Sequence, residues 1–319
     1  MSGAHERARV PVWLAIAGAV LVGVLTALQA RINGQLGVRL DDGFTAAAIS
    51  FGSGFVVLVV VSLAIPAGRR GFARLAAELR AGHIPWWMLA GGAAGALTVA
   101  TQGLAVGLIG VSLFTVGVVA GQTICGLALD RAGYGPAGVV AVTGGRLFGA
   151  ALALVAVGIS LSGGLAGIPL WMLVLPVFAG AGIAWQQATN GRLSVTIGAP
   201  LTATLVNFAG GTVILVTAAV IHGFFAGAPR AYPPELWLYV GGPVSVIYIF
   251  LSAALVRYTG VLLLGLGSVV GLLFTSIALD AIWPAAGDPG LVREAVTVAI
   301  ALVSVVVAIV PWRRRGSRR

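Results

Sequence analysis

Residues 29–54 read QARINGQLGVRLDDGFTAAAISFGSG, and residues 186–211 read QQATNGRLSVTIGAPLTATLVNFAGG. The two stretches align without a gap. Gln29 falls on Gln186, Asn33-Gly34 on Asn190-Gly191, Leu36 on Leu193, Phe51 on Phe208 and Gly54 on Gly211. A second block repeats with a slightly different spacing. There Trp87, Gly91 and Gly92 match Trp237, Gly241 and Gly242, while Gly117 and Gly121 match Gly267 and Gly271. Leu129-Asp130 then matches Leu279-Asp280. The chain therefore reads as two copies of one unit, residues 1–165 and 166–319, and the fold must be one that such a unit builds twice.

Composition sets the class. Of 319 residues, 59% are hydrophobic and 9% charged, and the mean hydropathy is +1.05. A water-soluble domain has no way to bury that much apolar side chain, so the chain reads as an all-α polytopic membrane protein. The net charge of +10 does not point to nucleic acid, because the basic residues, all Arg, lie between apolar runs and at the C-terminus. Cys125 is the single cysteine, so no internal disulfide forms.

A membrane-crossing helix needs about 20 apolar residues. Runs of that length cover residues 12–33, 44–65, 86–107, 109–129 and 141–161, then 169–190, 200–222, 236–256, 260–281 and 294–312. The first run resembles a signal peptide, but its end recurs mid-chain at Gln186–Asn190, so we expect it to be retained. The third and fourth runs are split at Gly107–Gly110, since Gly110 matches Gly260. Five spans per unit is an odd number, so two tandem units must cross the bilayer in opposite senses, as inverted repeats. With a cytoplasmic N-terminus, fifteen Arg fall inside and four (Arg31, Arg39, Arg230 and Arg293) outside. This bias predicts that both termini are cytoplasmic. Between the second and third runs, GRRGFARLAAELRAGH suggests a basic amphipathic turn on the anionic inner leaflet.

Uncharged polar side chains within the runs are the candidate binding groups, because polar groups at membrane depth face the bundle interior or a cavity. They are Gln29, Asn33, Gln102, Gln122, Gln186, Gln187, Asn190 and Asn207. Thr26, Gln29 and Asn33 share one helix face. The competing reading makes Asn33-Gly34 and Asn190-Gly191 helix ends with a left-handed glycine, and the glutamines interhelical glue. Gly117, Gly121, Gly267 and Gly271 are expected to bring helices into close contact. Asp130 and Asp280 read as interfacial helix terminators, and Arg146 as a side chain reaching to the surface. No metal-ligand spacing, nucleophile motif or phosphate loop occurs, so neither catalysis, a metal nor a cofactor is expected.

The stretch LQARINGQLG…TAAAISFGSG resembles the opening of the YdcZ-like family within the drug/metabolite transporter superfamily. Val119 to Ile159 resembles the end of the same family unit. In the second copy Gln122 is replaced by Leu272, and Arg146 by Val296. The resemblance implies ten helices in two inverted five-helix repeats, in a bacterial inner membrane. It also implies export of a small molecule, with the lipid bilayer and that solute as partners. Related small multidrug transporters carry an essential Glu in the first helix, and neither copy has an acidic residue there. The alternatives are a flippase for a lipid-linked metabolite and a non-transporting membrane assembly protein. A membrane-opening groove would favour the flippase, an enclosed polar cavity the soluble-solute exporter, and no cavity at all the assembly protein.

Overall fold

The computed structural model of the chain describes residues 11–161 and 170–282, together with residues 296, 299, 300, 303, 306 and 307. The tenth run lies almost wholly outside the described residues. The described part is helical: α1 (Val12–Leu40), α2 (Gly43–Ala64), α3 (Pro66–Arg80), α4 (Gly91–Thr101), α5 (Gly107–Arg131), α6 (Gly144–Leu161), α7 (Leu170–Ile197), α8 (Pro200–Ala226) and α9 (Gly241–Ile282). A π-helical turn, Gln102–Val106, joins α4 to α5, and single 3-10 turns precede α4 and α9. By length and hydropathy α1, α2, α8 and the segment Leu236–Leu279 are each able to cross a membrane.

Asn-Gly does not end the first helix of either unit. Both α1 and α7 continue seven residues further, to Leu40 and Ile197. Each stops at a left-handed residue, Asp41 (φ 52°) or Gly198 (φ 62°). The bonds are equivalent at the two ends. Asp41 N–H and Asp42 N–H donate to Val38 O and Gly37 O, and Gly198 N–H and Ala199 N–H donate to Val195 O and Ser194 O. This is a Schellman stop. Asn33 is free to stay helical because its amide is engaged sideways with Gln102. Asp42 then starts α2 by accepting from Phe44 N–H at 2.9 Å and Thr45 N–H at 3.0 Å, whereas α8 starts with Pro200 in its first turn.

α9 has 42 residues, about 63 Å if straight, twice the apolar thickness of a bilayer. It is broken at Gly260, whose φ of 72° and ψ of 172° only glycine adopts without strain. The chain folds back there: Leu255 and Gly267 meet the neighbouring α1 residues Gly18 and Ala19. In the first unit the π turn at 102–106 joins α4 to α5, and the chain comes back on itself between Thr98 and Val118, an interval that contains the Gly107–Gly110 split expected from sequence. Thr98 and Val118, on either side of it, meet Ala179 and Gly180 of α7.

Glycine-mediated contacts come in matched sets. A Cβ on Gly121 of α5 would collide with Val177 O of α7, and one on Gly271 of α9 would collide with Val20 O of α1. Gly180 closes on Val118 O and Gly23 on Ser268 O in the same manner. Helix four of each unit thus packs on helix one of the other unit. At the centre of α2 and α8, Phe51 and Phe208 occupy equivalent positions and touch, with ring centroids 4.9 Å apart. α6 packs chiefly on α5, at the periphery. The stretch expected to be a basic turn is the full helix α3. Its Gly68 and Gly71 close on Ser62 and Thr202, Arg69, Arg70 and Arg80 are exposed, and Arg74, also exposed, donates to Gly198 O at 3.4 Å.

Candidate functional site

Where α1, α4, α5, α7 and α9 meet, a cavity opens whose wall is mostly apolar, with Val22, Val118, Ile183, Ile249 and Leu272, and is studded with amides and hydroxyls. α7 brings Gln186, Gln187 and Asn190, and α5 brings Gln122. Hydroxyls come from Thr26, Thr98, Tyr248, Ser252 and Ser268. Among the described residues no ionisable Asp, Glu, Arg or His lines it. The space is small, about 30 Å³, against roughly 10–15 Å³ for one water, so the conformation is constricted. α2 and α8 contribute none of the wall.

The eight candidate residues divide evenly. Gln122, Gln186, Gln187 and Asn190 lie on the wall, whereas Gln29, Asn33, Gln102 and Asn207 lie outside it. Gln186 Nε2 and Asn190 Nδ2 each donate to Asn207 Oδ1 at 2.9 Å, so Asn207 holds both wall amides from behind. Gln122 Nε2 faces Gln187 Oε1 at 3.5 Å and Ser268 Oγ at 3.4 Å. In the first unit, Asn33 Nδ2 donates to Gln102 Oε1 at 3.2 Å, and Tyr248 donates to Gln29 Oε1 at 3.4 Å. Gln29 is fully buried, and its Nε2 has no partner; neither has Asn33 Oδ1. A buried polar group left unpaired costs roughly 1–3 kcal/mol.

The wall hydroxyls are constrained as well. Thr26, Thr98 and Ser252 donate to the carbonyl four residues earlier, at Val22, Ala94 and Tyr248, and Ser268 donates to Gly265 O. With their protons committed, they present lone pairs to the cavity. Sequence reasoning passed over Tyr248, Ser252 and Ser268, since single hydroxyls in an apolar run carry no pattern. The repeat supplies a signal for Tyr248, which stands opposite Thr98.

An aromatic and basic layer stands just beyond Asn190, outside the cavity wall. Tyr134 and Thr189 hydroxyls are 3.0 Å apart, and the Trp87 and Tyr134 rings lie at 5.4 Å. The Arg192 guanidinium stands 5.5 Å from each ring. At the far end of α1 the closure is apolar, made by Leu36, Leu40, Ala46 and Leu238, with an Arg39–Glu235 ion pair of 3.2 Å at the surface.

Asp130 and Arg146 differ from expectation. Asp130 stands one residue before the end of α5, as a terminator would, but it is buried, at 1% exposed. Its carboxylate accepts from Val261 N–H at 2.8 Å and Leu262 N–H at 3.2 Å, just after the Gly260 break. Arg146 Nη1 donates to the same carboxylate at 3.0 Å instead of reaching to the surface. The broken helix exposes backbone donors at a new N-terminus, and a carboxylate is the natural cap for them. The Asp280 side chain lies outside the described residues. Among the described residues no group of three or more His, Cys, Asp or Glu is close enough to hold a metal ion.

The family model described as "Putative inner membrane exporter, YdcZ" matches residues 14–159 and again 171–309. The chain belongs to this family. That description supports a transporter located in the membrane. A solved structure described only as "Crystal structure of protein" superposes with a TM-score of 0.62 at 18% identity, over 93% of this chain and 95% of that one. That likeness speaks to the fold alone. No curated protein matches the chain.

Proposed function

We propose that the protein is an inner-membrane secondary transporter that exports a small, polar, uncharged or weakly charged solute by alternating access. In this reading ten spans form two inverted five-helix repeats, both termini are cytoplasmic, and the solute passes between the repeats. The observation that carries it is the amide- and hydroxyl-lined cavity at the junction of α1, α4, α5, α7 and α9. A cavity among the helices argues against a purely structural role, and its amides and hydroxyls support a polar solute. The matched contacts of α1 with α9 and of α7 with α5 support halves related by a pseudo-two-fold axis.

No carboxylate lines the cavity among the described residues, and Asp130 is held by Arg146 and two backbone amides. Transport on this reading needs no obligatory proton. To test it, metabolites accumulating in a deletion strain are first identified by untargeted comparison. Their uptake is then measured in liposomes holding the purified protein, with and without an imposed pH gradient. Saturable movement without the gradient is the expected result. Accumulation that requires the gradient and vanishes in Asp130→Asn would contradict it.

A further inference from the structure

The cavity is lopsided relative to the sequence repeat. Four pairs of equivalent positions line it from both units: Thr26 with Ile183, Thr98 with Tyr248, Val118 with Ser268, and Gln122 with Leu272. These mark its centre. The remaining wall residues have no partner from the other unit, and all lie toward one end. They extend toward the N-terminal ends of α1 and α4 and the C-terminal end of α7, as Val22, Gly95 and Asn190 illustrate. The equivalents of Gln186, Asn190 and Ser252 are Gln29, Asn33 and Gln102. Those three are packed together, 0–1% exposed, on the opposite side of the centre.

We infer that Gln29, Asn33 and Gln102 form a second solute-contacting wall, which opens on the opposite face when the wall of Gln186, Asn190 and Ser252 closes. The inference rests on the alternating-access reading and adds to it the residues that exchange roles. Two inverted copies of one sequence exchange environments when the molecule passes from one state to the other, so each position inherits what its equivalent has now. The unpartnered atoms fit this exchange. Gln29 Nε2 and Asn33 Oδ1 are buried without a hydrogen bond, whereas their equivalents Gln186 and Asn190 reach the cavity. Opening the first-unit side gives Gln29 and Asn33 access to water or solute. Its cost is separation of the Asn33–Gln102 pair and of the apolar closure around Leu36 and Leu238.

The test uses full-length protein in a Cys125→Ala background, with fluorescein maleimide as the probe and no solute present. Single variants Gln29→Cys and Gln186→Cys should each react, from opposite faces of sealed vesicles. In the double variant, a label at one position holds that side open and keeps the other shut. Intact-mass spectrometry should then find one label per chain, with the second reaction slowed at least about tenfold. Asn33→Cys paired with Asn190→Cys repeats the experiment should either glutamine variant fail to fold. Two labels per chain at unslowed rates, or no reaction at both Gln29→Cys and Asn33→Cys, overturns the inference. The readout is separate from transport: a protein that moves solute while Gln29→Cys and Asn33→Cys stay inert loses only this inference. One that labels alternately but moves no solute loses the transport reading instead.

Discussion

The Gln29–Asn33 pair of α1 and the Gln186–Asn190 pair of α7 come from the same sequence motif and sit in different surroundings. On α7 both amides share Asn207 Oδ1 and face a cavity. Beside α1 the position equivalent to Asn207 is Ser50 of α2, whose hydroxyl makes no hydrogen bond. Asn33 turns instead to Gln102, and Gln29 keeps an unpaired donor. A repeat fixes which residues occupy equivalent places, but it does not fix their state. The difference shows that one motif places its amides in two hydrogen-bonding environments: Gln186 and Asn190 are both held by Asn207, whose own Nδ2 is unpartnered, while Gln29 Nε2 and Asn33 Oδ1 are left unpartnered themselves.

The largest effect should come from the end of the molecule where the second-unit half-helix begins. Asp130→Ala removes the cap on Val261 and Leu262 and leaves the part-buried Arg146 without its partner. Loss of one partner of a buried pair costs about 3–5 kcal/mol. Thermal unfolding in detergent should show it, and Asp130→Ala/Arg146→Met should recover part of the loss. Equal stability of Asp130→Ala and the parent protein would mean that the Gly260 break needs no cap.

Next come the matched glycines. Gly121→Val and Gly271→Val each press a side chain into a carbonyl of the facing helix, and overpacking costs about 1–3 kcal/mol. The two variants should be destabilised alike in a thermal-shift measurement. A large effect in one and none in the other would break the equivalence of the α5–α7 and α1–α9 contacts.

The smallest effect separates the amide pairs themselves. Gln186→Leu takes one donor from Asn207, worth about 0.6 kcal/mol for an interhelical hydrogen bond. Gln29→Leu removes an already unpaired donor together with the long bond from Tyr248 to Oε1, and should cost less stability than Gln186→Leu. Both should lower transport in liposomes, since each removes a polar contact from one of the two states. Equal stability losses would show that Gln29 is already satisfied.

Much of this architecture was legible in the chain. Apolar run length marked the helices, and the repeat register predicted which residues would be equivalent. Helix ends were less legible. Asn33-Gly34 carries the local signature of a helix stop, yet a lateral bond to Gln102 leaves the backbone helical to Leu40. Asp130 follows an apolar run, as an interfacial residue would, and only the fold-back at Gly260 reveals why it is buried. The amide content of the site could be read from spacing on one helix face. Which amides face the cavity could not, because that depends on the state of the whole bundle.

The most direct test of two units crossing the bilayer in opposite senses uses Val38 and Val195. They are equivalent positions near the C-terminal ends of α1 and α7, both exposed, at 58% and 48%. Val38→Cys and Val195→Cys, each in a Cys125→Ala background, are treated with a membrane-impermeant maleimide in intact and in opened cells. Inverted repeats predict that Val38→Cys reacts from outside, and that Val195→Cys reacts only once the cytoplasmic face is exposed. Reaction of both from the same face would contradict the inverted arrangement and the alternating cavity built on it.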